Sequence, residues 1–78
     1  MYFSKNEIIE LEGKIKYLIL DTALIDEVTY YKVQEVDQED KKLINGILYI
    51  TATNIEGKLY INFINNKELI KKLDELLN

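Results

Sequence analysis

Apolar and polar residues alternate through most of this chain, and the alternation predicts five strands followed by one helix. A period of two residues is typical of strands that bury one face. The predicted strands cover residues 7–12, 14–25, 28–36, 47–54 and 58–65. The helix is predicted to begin at Asn66, because Asn65 is a good N-cap and Glu68 follows it at the spacing of a capping box.

The stretch from Asn45 to Asn78 organises the predicted fold. Its two strands are joined by residues 55–57, which predict a hairpin with a glycine in the left-handed region. In the second of these strands, Leu59, Ile61 and Phe63 share one face. The helix carries a single apolar stripe, formed by Leu69, Ile70, Leu73, Leu76 and Leu77. A helix this short is marginal in water, so we expect it to cover the face formed by Leu59, Ile61 and Phe63.

The second predicted strand has apolar residues on both faces. Ile15, Tyr17 and Ile19 lie on one face and Leu18, Leu20 and Leu24 on the other, so the strand is either central or carries a bulge near Asp21–Thr22. Tight turns are predicted at Gly13–Lys14 and Asp26–Glu27, and a loop over residues 37–46. The fold class is therefore α+β: a single, mostly antiparallel sheet of about five strands, with one C-terminal amphipathic helix packed on one face. Residues 1–78 form a single small domain.

Composition restricts the partners and the compartment. The net charge is −4, which argues against a nucleic acid partner because binding a phosphate backbone needs a basic field. The absence of Cys favours a reducing compartment, so we expect a cytoplasmic protein. The start lacks the features of a signal peptide, and the longest apolar runs, residues 17–20 and 47–50, are too short for a membrane span.

The order of the segments carries a resemblance. The chain reads Ile-Ile-Glu-Leu-Glu-Gly-Lys-Ile-Lys-Tyr-Leu-Ile-Leu-Asp-Thr over residues 8–22, then Asp-Glu-Val-Thr-Tyr-Tyr from Asp26. An acidic loop near Asp37 to Asp40, a strand–turn–strand unit and a closing helix follow. From Ile8 to Leu77 this order resembles the YrzB-like family of small acidic bacterial proteins of unknown function. The last third departs from that pattern because it is neutral and rich in Lys. The resemblance implies a fold and no mechanism.

The residue types leave little chemistry for catalysis. The chain has no His and no Cys, which removes the usual general base, thiol nucleophiles and most transition-metal sites. We therefore expect no enzyme, no cofactor and no metal, with a carboxylate pair such as Asp21 and Asp26 as a distant alternative. The run from Asp37 to Asp40 has oxygen ligands for a hard cation but lacks the glycine and distal Glu of an EF-hand loop, so it is interpreted as a solvated loop.

The six tyrosines are the most suggestive residues for binding. Tyr30 and Tyr31 are adjacent on a strand and must point to opposite faces, so one of them should join Tyr60 on the face away from the helix. Tyrosine is enriched in protein interfaces, although it also serves as structural cover. The leading hypothesis is a non-enzymatic protein-interaction module that binds a protein partner, or itself, through an open sheet face or an edge strand. The candidate surface comprises Tyr30, Tyr31, Tyr60, Asp37, Glu39 and Asp40. The alternative is a small acidic decoy or inhibitor, of the phage type, that occupies a basic surface of a target protein.

Overall fold

The structure, a computed structural model, describes residues 2–11, 13, 15–37 and 43–77, with the backbone alone for residues 43–45. Its elements are β1 (Ile8–Leu11), β2 (Ile15–Ile25), β3 (Val28–Val36), β4 (Leu43–Ile55), β5 (Lys58–Phe63) and α1 (Lys67–Leu76). The strands form one sheet in the order β1-β2-β3-β4-β5, and each neighbouring pair is antiparallel. The predicted α+β class, with a single antiparallel sheet and a C-terminal helix, is confirmed.

Two hairpins in this sheet close with two-residue turns. Asp26 and Glu27 have φ values of 49° and 68°, and Glu56 and Gly57 have values of 52° and 84°. Positive φ at both central residues defines a type I′ turn, whose twist matches that of the flanking strands. The turn predicted at Asp26–Glu27 is confirmed. The three-residue connection predicted over residues 55–57 is wrong by one residue, because Ile55 already pairs with Lys58.

Strand β4 is longer than its sequence pattern predicts. It begins at Leu43, so residues 43–46, which were predicted as part of a loop, belong to the sheet. Leu43 pairs with Val36 at the end of β3, after a shift in register between Gln34 and Val36. The added pairing gives the last residues of β3 a backbone partner on both sides. The charged residues 38–42 of the predicted loop lie outside the described residues.

The predicted bulge in β2 is present, one residue before its expected position. Ile19 pairs with Val33 and Asp21 pairs with Lys32, so Leu20 is an extra residue without a partner. Because side chains alternate along a strand, the extra residue exchanges the two faces. The exchange places Leu24 on the same side of the sheet as Tyr17 and Ile19, whereas Leu18, before the bulge, lies on the opposite side.

Tyr49 and Leu73 are buried outside the main hydrophobic cluster, which lies on one side of the sheet. Its buried members are Ile9, Tyr17, Ile19, Tyr31, Val33, Ile50 and Ala52. Tyr31 is fully buried, and its hydroxyl oxygen accepts hydrogen bonds from the backbone N–H groups of Tyr2 (3.0 Å) and Phe3 (3.4 Å). The ring of Phe3 meets the Tyr31 ring edge-on at 5.1 Å. The N-terminal segment thus covers one part of this core.

Helix α1 begins one residue later than predicted. Asn66 is the N-cap, and its Oδ1 accepts from the N–H groups of Glu68 (2.9 Å) and Leu69 (3.1 Å). Asn65 and Asn66 are the same residue type, so the sequence offered two equivalent caps, and the predicted cap at Asn65 is wrong. The described helix is not long and apolar enough to cross a membrane.

The attachment of α1 differs from the sequence prediction. The Tyr49 hydroxyl donates to the Asp74 carboxylate, and Lys32 Nζ donates to the Leu77 carbonyl at 3.1 Å. Lys32 and Tyr49 are cross-strand partners on β3 and β4, and Tyr49 alternates with the core residue Ile50. The helix is therefore bonded to side chains that point away from the core. The predicted cover of Leu59 and Phe63 is not found, since these side chains are 42% and 45% exposed.

Candidate functional site

The ring of Tyr17 on β2 lies 5.9 Å from the ring of Phe63 on β5, with the two planes tilted by 59°. Strands β3 and β4 separate β2 from β5 in the sheet order. In a flat sheet three strand spacings would hold the two strands about 14 Å apart. The contact therefore requires the sheet to curl toward its core side, and the register shifts in β2 and β4 favour such a bend.

The curl produces a groove, with a volume of about 540 Å³, between the first two strands and the last one. Its lining residues are Leu11 on β1, Ile15 and Tyr17 on β2, and Leu59, Tyr60, Ile61 and Phe63 on β5. All of them are apolar or aromatic. We call this the β1–β5 groove.

The β1–β5 groove has a buried floor and an exposed rim. Tyr17 is buried, and Ile61 is half-buried and packs against the core. On the rim, Leu59, Tyr60 and Phe63 are 42%, 46% and 45% exposed. Contiguous exposed apolar side chains are the usual sign of a surface that binds a partner. A ligand that covers the rim would bury these exposed side chains and leave the floor unchanged.

None of the described residues that line the groove is acidic or basic. Burial, and after it the negative charge of Glu35, raises the pKa of Tyr17, so its hydroxyl keeps the proton. Glu35 is the cross-strand partner of Tyr17. The groove therefore offers apolar contacts and two tyrosine hydroxyls, and it suits an apolar ligand better than an ion. Within the described part of the chain, no group of three or more metal-ligating side chains is placed to hold a metal ion.

The outer edge of β5 adds backbone hydrogen-bonding groups to this surface. The Ile64 N–H donates to the Tyr49 carbonyl at 2.9 Å, which fixes the direction of the backbone groups along β5. In an antiparallel ladder these directions alternate, so Tyr60 and Asn62 also bond toward β4. The N–H and C=O groups of Leu59, Ile61 and Phe63 consequently point away from β4. β5 is the last strand in the sheet order, so none of the described strands is hydrogen-bonded to this side.

The tyrosines predicted as an interaction surface divide among three environments. Tyr31 is fully buried in the core, so its side chain offers no surface to a partner. Tyr30 is half-buried and points to the opposite side of the sheet, the side to which α1 is bonded. Tyr60 shares that side by its register, yet it lies at the sheet edge and lines the β1–β5 groove. The expectation that Tyr60 lies away from the helix side is therefore wrong, although its exposure is as expected.

The acidic residues predicted for the surface do not form a described site. Asp37 is half-buried, whereas Glu39 and Asp40 lie outside the described residues. Asp21 pairs with Lys32, while Asp26 occupies the β2–β3 turn several residues further along. The carboxylate pair considered for catalysis is therefore not brought together.

The comparison with known proteins gives no family. No protein family, curated protein or solved structure matches this chain. The resemblance to the YrzB-like family stays a prediction.

Of the seven lining residues only Tyr60 was predicted as part of a site, although the alternation of several others is plain in the sequence. Leu59, Ile61 and Phe63 share one face of β5, and Tyr17 lies on the core face of β2. Alternation shows which side chains share a face, but it does not show that two distant strands approach each other. That approach depends on the curl of the sheet.

Proposed function

We propose that this chain is a non-enzymatic protein-interaction module that binds an extended, apolar segment of a protein partner. The bound segment would add to the outer edge of β5 and place alternate side chains in the β1–β5 groove. Strand addition of this kind takes affinity from backbone hydrogen bonds and specificity from the pockets beneath alternate side chains. The observation that carries the proposal is the groove of about 540 Å³, bordered by the outward-facing backbone of β5.

The groups available on β5 support an extended peptide more than a small molecule. The outward backbone groups of β5 belong to every second residue: Leu59, Ile61 and Phe63. An extended peptide presents its own backbone groups at the same spacing. The side chains of these three residues line the groove along the same strand. A compact apolar ligand would fill the groove but leave these backbone groups to water.

The lack of His and Cys in the chain supports a binding role over a catalytic one. The alternative of an acidic decoy stays a prediction, because Glu39 and Asp40 lie outside the described residues. Binding that vanishes with salt would favour it. Binding in the β1–β5 groove should persist as the salt concentration rises, because salt screens apolar contacts and backbone hydrogen bonds only weakly.

The proposal can be tested with a displayed library of short peptides that carry apolar residues at alternate positions. Selected peptides should shift the backbone amide signals of Leu59, Ile61 and Phe63 in NMR spectra and protect these amides from hydrogen exchange. Leu59→Lys should lose the binding. Thr53→Lys, which adds the same charge on β4 beside β5, is the matched control and should keep it. Peptides that bind Leu59→Lys as well as the wild type, or that shift signals on the helix side alone, would refute the proposal.

A further inference from the structure

The two edges of the sheet are not equally protected against pairing. β1 has four residues, Ile8–Leu11, with Glu10 within it and Glu7 just before it. Short length and charge are the usual devices that keep an edge strand from associating. β5 has six residues and one charge, Lys58, at its first position. β5 is therefore the edge that lacks protection.

Helix α1 does not shield the β5 edge. Its hydrogen bonds reach Lys32 on β3 and Tyr49 on β4, which lie further inside the sheet. Leu59, Tyr60 and Phe63 on β5 remain 42%, 46% and 45% exposed. Helix α1 would therefore not block a strand laid beside β5.

The sequence of β5 is complementary to itself in the antiparallel direction. When two copies of the strand are paired about Ile61, Leu59 faces the partner's Phe63 and Ile61 faces the partner's Ile61. Tyr60 then faces the partner's Asn62, and Lys58 faces the partner's Ile64. No like charges lie opposite each other, and the apolar pairs fall on the groove side, where they bury each other.

The hydrogen-bonding direction selects the same register. The outward backbone groups belong to Leu59, Ile61 and Phe63, so a partner strand must set these residues opposite their own counterparts. Centring the pair on Ile61 engages all three residues in both copies. Moving the centre to Tyr60 or Asn62 pairs fewer of them. If one strand shifts by one residue, each outward-facing residue lies opposite a residue of the other copy whose backbone groups point toward β4.

We infer that the occupant of the β5 edge is a second copy of this chain, paired antiparallel about Ile61 to form a two-fold dimer with a continuous sheet; this rests on the proposed function of that edge. A two-fold interface uses each contact twice, so the pairing of Leu59 with the partner's Phe63 occurs at both ends. A chain of 78 residues buries a smaller share of its surface on folding than a larger domain does, and association adds apolar burial to such a fold.

The test is the molar mass of the full chain by light scattering and sedimentation equilibrium over a range of concentrations. We expect the wild type to reach twice the chain mass of 9.2 kDa at high concentration. Leu59→Lys and Phe63→Glu should each weaken dimerisation by roughly tenfold, since each change removes two cross-strand apolar pairs per dimer. Thr53→Lys, on β4, should leave the dissociation constant unchanged.

The double variant Leu59→Lys/Phe63→Glu shows whether the single variants weaken dimerisation by breaking this cross-strand pair or only by removing apolar surface. Residues 59 and 63 lie four apart on one strand, about 13 Å, so the new charges cannot pair within one chain. Across the dimer they face each other, and the double variant should regain the affinity lost by the single variants. A folded wild type that stays monomeric, or singles that dimerise like the wild type, would overturn the inference. If selected peptides still bind the β5 edge of such a monomer, the proposed function stands and only the second copy is excluded.

Discussion

Tyr17 and Phe63 are in ring contact at 5.9 Å, although they belong to strands that are not neighbours in the sheet. The contact joins the core face of β2 to the last strand and closes the floor of the β1–β5 groove. It links the stability of the curl to the shape of the candidate site. A change at either ring should therefore affect both.

We expect Phe63→Ala to lower the free energy of unfolding by about 1–2 kcal/mol, less than the roughly 3–5 kcal/mol of a buried Phe because this side chain is 45% exposed. Urea unfolding of dilute protein measures this loss. Tyr60→Ala is the matched control, since Tyr60 is 46% exposed and points to the other side of the sheet. Its cost should be clearly smaller. Equal costs for the two variants would show that the Tyr17–Phe63 contact does not hold the curl.

The turn between β2 and β3 allows a stabilising substitution. Glu27 has a φ of 68°, a left-handed conformation that disfavours residues with a side chain by roughly 1–2 kcal/mol. Glycine avoids this strain but loses about 0.5–1 kcal/mol more in conformational entropy on folding. Glu27→Gly should therefore raise the free energy of unfolding by about 0.5 kcal/mol, and it creates the Asp-Gly pair preferred in type I′ turns.

The β4–β5 turn supplies the reverse control. Gly57 has a φ of 84°, with open space around the position of a Cβ, so Gly57→Ala introduces backbone strain without a side-chain clash. It should lower the free energy of unfolding by about the amount that Glu27→Gly adds. A loss of stability in Glu27→Gly would contradict the assigned turn geometry.

The strands and turns were largely predictable because their signals are local. Alternation defined β1, β3 and β5, and Asp26–Glu27 marked a turn that the structure confirms. The error at the helix start occurred where two neighbouring residues carry the same signal. Asn65 and Asn66 are equally good caps, and the choice between them depends on where the chain leaves β5 and meets the helix.

The groove and the position of α1 could not be predicted because both depend on contacts between distant residues. The apolar stripe of the helix shows that it must dock, but the side of the sheet is decided by Tyr49, Asp74 and Lys32. Phe63 was interpreted as buried beneath the helix because it alternates with other apolar residues. In the curled sheet it meets Tyr17 instead, and its outer part remains exposed.

The cap of α1 can be tested directly. Asn66→Ala removes the side-chain acceptor of the Glu68 and Leu69 N–H groups, so it should cost about 1 kcal/mol of stability. Asn65→Ala leaves both bonds in place and should change stability by less than about 0.5 kcal/mol. Thermal and urea unfolding of the two variants measure the difference. A larger loss in Asn65→Ala would restore the cap predicted from the sequence.

The hydrogen bond from Tyr49 to Asp74 should make the stability fall at alkaline pH. Burial, followed by the hydrogen bond and the charge of Asp74, raises the pKa of Tyr49 above its ordinary value of about 10. At pH 7 the hydroxyl is protonated in both the folded and the unfolded chain. Above about pH 10 the unfolded chain releases this proton while the folded chain keeps it, so the free energy of unfolding falls as the pH rises.

Tyr49→Phe should therefore cost about 1 kcal/mol at pH 7, where the hydrogen bond is lost, and less at pH 11, where the wild type has lost its advantage. Urea unfolding of both proteins from about pH 8 to 11 measures this convergence, because the remaining titratable groups are common to both. Asp74→Asn keeps an acceptor at the Tyr49 hydroxyl but removes the charge, and it should show a shallower fall than the wild type. If the free energies of unfolding of the wild type and Tyr49→Phe fall in parallel with pH, the ionisation of Tyr49 does not contribute to the loss of stability.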